Sequence, residues 1–265
     1  MNQELFGMCK PEFLEAPTSW LCRGAASQGL SFKELCAWLG VGNRNDVDSN
    51  FASGDVQKIA GRCGFPLSSF DLVKRILCVG TSLQLQEEVL LRAEKIPRYR
   101  FCPLCLRDQA TPNFPVHWRF NPWRMCYTHE CLMEDRCPHC RAPVLLQSPM
   151  DDGGPQGRGI AFLSQCSCCG DLLWKTTPVF VESLPPNRLS MLDAARLRNG
   201  CAFVSAVAFG RMSSPFFKTP SVDQGLQLME RFGLIAGAEF PTAEEFRKPS
   251  EFFVLERENR YRRAQ

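Results

Sequence analysis

Four short pairs of cysteine and histidine residues carry the chemistry that this sequence could support. Each pair has two residues between its members, so one tight turn can present both side chains to a single ion. The pairs are Cys102/Cys105, Cys126/His129, Cys137/Cys140 and Cys166/Cys169. Four such ligands fill the tetrahedron that zinc prefers in closed structural sites, at spacings close to those of zinc ribbons and fingers. The pattern therefore predicts two structural zinc ions per chain.

The assignment of individual ligands has open alternatives. Cys131 could replace His129, and Cys168 could replace Cys169, since each lies within two residues of the ligand it would replace. A cross-brace order would join the first pair to the third along the chain. We favour the sequential order, in which the first two pairs share one ion and the last two share the other.

These ligands do not indicate catalysis. A catalytic zinc keeps one position open for water, whereas the predicted ligands divide into two full sets. The sequence has no GxxxxGK[ST] loop, which argues against a P-loop ATPase. The other two histidines offer no base for a nucleophile, because His139 lies inside its own cysteine pair and His117 beside Trp118 is interpreted as an ordinary histidine. We expect a protein that is not an enzyme.

The composition is typical of a globular protein. Of 265 residues, 45% are hydrophobic and 22% charged, so the chain can form a real core without depending on metal alone. The N-terminus lacks a basic stretch followed by an apolar run, and no apolar run approaches the ~20 residues of a membrane span. Fifteen cysteines without an export signal indicate a reducing compartment. We expect a cytoplasmic protein with no membrane association.

The elements that must position these ligands begin with a helical N-terminal region. Over residues 18–92, apolar residues recur at three- and four-residue spacings. Ser31 and Glu34 form a capping box that predicts the start of one helix, and Gly40 predicts its end.

A second pair of helices follows. Ser53 and Asp55 are expected to open the first helix, residues 64–66 to break it, and Ser68 to cap the next one. A helix, a short glycine-containing turn and a second helix form the outline of a helix-turn-helix.

Beyond the cysteine-rich segment, helical patterns return at residues 191–197 and 223–232, while residues 147–159 have the composition of a flexible polar loop. The predicted fold is therefore mainly α-helical, with small zinc-ribbon or zinc-finger β elements. The predicted domains are an N-terminal helix-turn-helix-like domain at 1–100, a dual-zinc module at 101–178 and a C-terminal helical region at 179–265.

Basic residues around the cysteine pairs could contact nucleic acid. Over residues 92–141 they outnumber the acids and alternate with aromatics, which suits phosphate contacts and base stacking. The aromatics could instead form a small core under the arginine stems. The candidate recognition helix offers basic residues only near its C-terminal end, whereas DNA readers usually place contacts near the start. The candidate nucleic-acid or partner-binding residues are Lys74, Arg75, Arg98, Arg100, Arg107, Arg119 and Arg124.

Three segments resemble the TniQ family, which includes the TnsD-type target selectors of bacterial transposons. Residues 17–31 are similar to its SWL…LA…GLS start, and residues 59–66 to its LA…TGLP helix-turn-helix. Residues 101–140, which contain Trp118-Arg119, are similar to its signature YCPxC…WR…C..H…L…RCPxC. The family often has a glycine after the first zinc histidine, where this chain has Glu130. The resemblance covers roughly residues 12–175.

The resemblance implies a DNA-transposition accessory protein without catalytic activity. Such a protein selects or marks a target site by linking target DNA or a CRISPR effector complex to an AAA+ transposition regulator of the TnsC or TniB type. The resemblance also implies a bacterial cytoplasmic location, at the nucleoid when engaged, and leaves a homodimer open. The alternative is a stand-alone zinc-containing regulator that binds a specific DNA sequence. Residues 179–265 show no resemblance that assigns them a role.

Overall fold

The computed structural model describes residues 7–41, 46–52, 55–82, 89–93, 96–146, 163–209, 221–237 and 240–247. Within these ranges the protein is mainly helical and contains one small two-stranded sheet, as the sequence predicted at this coarse level. Ser53 and the predicted polar loop at 147–159 lie outside the described residues. None of the helices in the described part is both long and apolar enough to span a membrane.

The N-terminal region contains five short helices among its described residues. They are α1 (Pro17–Gln28), α2 (Phe32–Leu39), α3 (Val47–Ala52), α4 (Asp55–Cys63) and α5 (Asp71–Ser82). The capping box predicted for α2 is confirmed, because Ser31 and Glu34 exchange hydrogen bonds between side chain and backbone. Gly40 ends α2 in the left-handed conformation, at φ 68°, which glycine adopts without steric cost.

The turn between α4 and α5 differs from the prediction in one respect. Gly64, at φ 70°, ends α4 as expected, but Ser68 does not cap the next helix. A 3₁₀ turn over Leu67–Phe70 begins directly after Pro66 and leads into α5. Proline fixes its own φ near the helical value, so the chain can turn there without a side-chain cap. Phe70 in this turn packs on Trp20 of α1, with ring centroids 5.1 Å apart.

Helix α6 (Pro103–Asp108) follows in the cysteine-rich segment. In its described part, the C-terminal region adds three helices: α7 (Met191–Phe209), α8 (Val222–Arg231) and α9 (Ala243–Arg247). The first is longer than predicted because the apolar run at its C-terminal end continues the helix. It packs against α5, which also contacts α3, so the candidate recognition helix is held between two neighbours. The helix-turn-helix layout therefore stays a prediction.

Strands are few in the described residues. β1 (Arg92–Ala93) and β2 (Ile96–Pro97) pair antiparallel, with Arg92 opposite Pro97, and precede the first cysteine pair. Within the cysteine-rich segment the β elements are isolated bridges and not strands. One contiguous apolar core includes residues of all three predicted domains. The division of the chain into those domains stays a prediction.

Candidate metal centres

The cysteine and histidine pairs meet as two groups of four. One group consists of Cys102, Cys105, Cys126 and His129, and the other of Cys137, Cys140, Cys166 and Cys169. In each group the four ligand atoms lie within 4.8 Å of one another. This grouping is the sequential one that the sequence favoured over a cross-brace order. None of the fifteen cysteines forms a disulfide, so no disulfide competes for these sulfurs.

Three of the four pairs lie in turns of the same construction. In each, an antiparallel β-bridge pairs the residue before the first ligand with the residue three beyond the second: Met125 with Leu132, Arg136 with Pro143, and Gln165 with Leu172.

 Each of these bridges closes its ligand turn in the manner of a short β-hairpin.

Backbone hydrogen bonds repeat in the same three turns. The amide that follows the second ligand donates to the carbonyl of the first, over 2.8 Å for Glu130 to Cys126, 3.0 Å for Arg141 to Cys137 and 2.9 Å for Gly170 to Cys166. The residue after the second ligand is left-handed each time, at φ 48° for Glu130, 65° for Arg141 and 77° for Gly170. Only the last of these is a glycine, so the first two positions carry backbone strain.

The remaining pair is held by a helix start. Cys102 is the N-cap of α6 (Pro103–Asp108), and the amide of Cys105 donates to the Cys102 sulfur over 3.4 Å. Pro103 suits this position because the first helical residue needs no amide donor. The positive end of the helix also favours a negatively charged thiolate there. The first group thus combines a helix start with a turn.

The distances within both groups fit a tetrahedral ion. With metal–sulfur bonds of about 2.3 Å and metal–nitrogen bonds of about 2.0 Å, the edges of the tetrahedron are about 3.5–3.8 Å. The His129 Nδ1 atom lies 3.5, 3.3 and 3.5 Å from the sulfurs of Cys102, Cys105 and Cys126. In the second group, the sulfur separations are 3.7 Å for Cys137–Cys169 and 3.5 Å for Cys140–Cys166. Both groups therefore fit a metal that prefers thiolate and imidazole ligands.

The second nitrogen of His129 has an acidic partner. Its Nε2 atom lies 3.4 Å from a carboxylate oxygen of Asp108, at the end of α6. Metal-bound histidines commonly donate their free N–H to a carboxylate, which fixes the ring orientation. The sequence reasoning missed Asp108. Its place three residues after Cys105 on a helix was the only available signal.

Each of the two alternative ligands lies beside its group. The buried Cys131 sulfur lies 3.5 Å from the Cys102 sulfur, although Cys131 is not among the four mutually close atoms. Cys168 is exposed, and its amide donates to the Cys166 sulfur over 3.4 Å. The geometry thus groups His129 and Cys169 with the other ligands and leaves Cys131 within reach of the first group.

Three of the predicted binding arginines are not at the surface. The side chains of Arg119 and Arg100 are 0% and 2% exposed, and Arg124 is 7% exposed. The prediction that these three contact nucleic acid is therefore wrong, because their guanidinium groups are inside the protein. Sequence composition could not reveal this for Arg119, since its partners Asp46 and Asp48 lie more than 70 residues away along the chain.

Arg119 joins the cysteine-rich segment to the N-terminal helices. Its guanidinium binds both carboxylate oxygens of Asp46, at 2.8 and 2.6 Å, and one of Asp48, at 3.0 Å. Tyr99 also donates to Asp48, and Thr18 of α1 donates to the same carboxylate. Burial raises the pKa of Tyr99 well above its usual value, and the adjacent Asp48 adds to this rise, so the phenol stays a neutral donor.

The charge state of Asp46 follows from the same cluster. Burial alone would raise the pKa of Asp46, but the charge and hydrogen bonds of Arg119 outweigh burial and hold that pKa below its usual value. Asp46 is therefore ionised at neutral pH. A buried arginine that binds two carboxylates in this way connects two regions rigidly, and loss of one partner leaves an uncompensated charge.

Arg100 and Arg124 act in a similar way near the first group. Arg100 donates to Asp135 over 2.7 Å and to the backbone carbonyl of Asn121 over 2.6 Å. Arg124 donates to the Asn121 side chain over 3.1 Å and to the carbonyl of Phe240 over 3.4 Å. Of these bonds, the one from Arg124 to Phe240 joins the segment between the first two ligand pairs to the C-terminal region.

The other four candidates have at least partly exposed side chains. Arg75 and Arg107 are exposed, while Lys74 and Arg98 are partly buried. Arg98 lies 3.4 Å from Asp135, and Arg107 forms an exposed ion pair with Asp108 at 2.8 Å. Their role in binding stays a prediction.

Comparison with known proteins agrees with the resemblance in the sequence. The TniQ family model matches residues 7–133, a range that contains the N-terminal helices and the first group of ligands. The match is shorter than predicted, because it ends before Cys137 and does not include the second group. No curated protein matches the chain. Proteins of this family are accessory proteins associated with transposition. Over residues 7–133, the chain is thus similar to proteins of the TniQ family.

Proposed function

We propose that the protein is a non-catalytic adaptor for transposon target-site selection, built around two structural zinc ions. It links a target-recognising element, either target DNA or a CRISPR effector complex, to an AAA+ transposition regulator. One observation carries the proposal: the segment that matches the TniQ family contains all four ligands of the first centre. Within this segment, the buried Arg119 cluster joins the chain around these ligands to the N-terminal helices.

The donor atoms favour zinc at both centres. One centre offers three sulfurs and a nitrogen, and the other offers four sulfurs. Thiolates and imidazoles at tetrahedral spacing suit zinc, whereas calcium and magnesium prefer oxygen ligands. The ions would hold the turns together and thereby stabilise the fold. Cys102, Cys105, Cys126 and His129 would bind one ion, and Cys137, Cys140, Cys166 and Cys169 the other.

The completeness of each ligand set supports a role in binding. Four protein ligands leave no position for the water that a hydrolytic zinc activates. The centres would thus act as rigid supports for surfaces that contact other macromolecules. This agrees with an adaptor, whose activity depends on the partners that it brings together.

The position of the arginines favours an adaptor over a stand-alone DNA-binding regulator. Arg100, Arg119 and Arg124 are buried, and α5 lies between α3 and α7. The basic side chains left for phosphate contacts in the predicted set are Lys74, Arg75, Arg98 and Arg107. Such a small set supports weak electrostatic contact with DNA better than sequence-specific reading.

The test is capture of partners by the full chain. Metal-loaded protein should retain its cognate AAA+ regulator or target-recognition complex on an affinity resin. Protein emptied of metal by a chelator, and shown to have lost structure by circular dichroism, is the control and should retain neither. If folded protein with two zinc ions captures neither partner, the adaptor function is wrong.

A gel-shift series separates the adaptor from the regulator. The adaptor should bind DNA weakly, with affinity that falls steeply as salt increases and depends little on sequence. Tight binding of one natural sequence that persists at physiological salt would favour the stand-alone regulator or a sequence-reading selector.

A further inference from the structure

We propose that Cys131 is a reserve ligand of the first metal centre, which takes the place of His129 when the imidazole leaves the ion. The inference rests on the proposed function in one respect, namely that zinc occupies this centre. The centre would then have two ligand sets, one with three thiolates and an imidazole and one with four thiolates. Cys102, Cys105 and Cys126 belong to both.

The position of the Cys131 sulfur supports this exchange. It lies 3.5 Å from the Cys102 sulfur, the same separation as that between the sulfurs of Cys105 and Cys126 within the group. Cys131 is fully buried, at 0% exposure. While Cys102 binds the ion as a thiolate, the Cys131 thiol can donate a hydrogen bond to it. The resting role of Cys131 is therefore that of a hydrogen-bond donor in contact with a ligand.

The backbone holds Cys131 close to the ion. Its carbonyl accepts a hydrogen bond from the amide of Cys126 over 2.8 Å, and it pairs with Phe180 in an antiparallel bridge. The next residue, Leu132, pairs with Met125. Because these contacts fix the backbone of Cys131 and Leu132, a rotation of the Cys131 side chain would be enough to turn its sulfur toward the ion.

His129 is the ligand that can leave most readily. Its side chain is 21% exposed, and its partner Asp108 is 50% exposed, so water competes for their contact. Glu130, directly after it, is left-handed at φ 48°, a conformation that disfavours residues other than glycine. Relaxation of this strain would move His129, whereas Cys102 and Cys126 are buried.

The exchange is balanced in protons and bonds. The bond between the ion and His129 Nδ1 breaks, and a bond to the Cys131 sulfur forms. The thiol proton of Cys131 passes to the released imidazole, or to water where the imidazole is missing. No oxidation or reduction takes place.

Native mass spectrometry of the full chain and its variants tests the proposal. Wild-type protein should carry two zinc ions, and His129→Ala should still carry two. The double variant His129→Ala/Cys131→Ser should carry one, since the first centre then has three ligands. In the cobalt-loaded His129→Ala variant, the thiolate charge-transfer absorption should increase, because the first centre then has four thiolates. One zinc in His129→Ala, or no increase in this absorption, would overturn the proposal.

Release of zinc to a chelator supplies a second measurement if His129→Ala does not fold. Cys131→Ser should retain two zinc ions but lose the ion of the first centre about 10-fold faster than wild type, as expected for loss of a group that supports a ligand. Cys201→Ser, which changes a buried thiol bonded to the Met125 carbonyl, is the matched control and should release zinc at the wild-type rate. An unchanged rate in Cys131→Ser would refute the reserve role, as would loss of one ion at equilibrium. Wild-type protein with fewer than two zinc ions would contradict the proposed zinc centres themselves.

Discussion

The two candidate metal centres use the same turn in different surroundings. Three ligand pairs share one turn geometry, but only the first centre adds a helix start and a histidine ligand with an acidic partner. Its ligands lie within the segment that matches the TniQ family, whereas the second centre follows that segment. Cys169 of the second centre is exposed, while each ligand of the first is at least partly buried.

The difference indicates two structural roles. The chain between the two pairs of the first centre contacts the N-terminal helices directly, since the amide of Phe114 donates to Ser19 over 3.0 Å and Arg119 binds Asp46. The first centre is therefore expected to support the whole N-terminal region. The second centre, which is more exposed, is expected to support mainly its own turns.

The largest expected effect comes from loss of a ligand in each centre. Cys102→Ser should remove one zinc and unfold the N-terminal helices with it, since a bound structural zinc can contribute ~10 kcal/mol or more. Cys137→Ser should also remove one zinc, but the helical circular dichroism signal should largely remain. Metal analysis and circular dichroism of both variants make the comparison. Equal loss of helix in the two variants would contradict the difference between the centres.

The next effect concerns the link between the first centre and the helices. Arg119→Ala should lower the free energy of unfolding by about 3–5 kcal/mol, because it removes the buried cation that binds both Asp46 and Asp48. Arg107→Ala, which removes an arginine from an exposed ion pair, is the matched control and should change it by less than about 1 kcal/mol. Denaturant unfolding measures both. Similar stabilities for the two variants would mean that the Arg119 cluster does not join these regions.

The sequence predicted the local features well and the long-range contacts poorly. The ligand pairs, the Ser31 capping box and the glycine at the end of α2 could be predicted because each depends on residues close together in the chain. Arg119 was misinterpreted because its partners, Asp46 and Asp48, lie more than 70 residues away. A basic residue among aromatics has the same appearance in sequence whether it meets a phosphate or a buried carboxylate.

The smallest expected effect is a gain in stability at the left-handed turn residues. Glu130→Gly should raise the free energy of unfolding by up to about 1 kcal/mol, because glycine adopts φ 48° without the steric cost of a Cβ atom. Gly170→Ala, at the equivalent position of the second centre, should lower it by a similar amount. Thermal unfolding of the metal-loaded variants provides the measurement. Destabilisation by Glu130→Gly would show that the turn is not strained at this residue.

The most direct test of the two-centre account is native mass spectrometry of the wild-type chain during titration with a chelator. The account predicts two zinc ions per chain at the start and earlier loss from the second centre. The variants Cys102→Ser and Cys137→Ser, each of which lacks one ligand of one centre, identify which ion leaves. The helical signal should persist after the first ion is lost and disappear with the second. Fewer than two zinc ions at the start, or earlier loss from the first centre, would contradict the account.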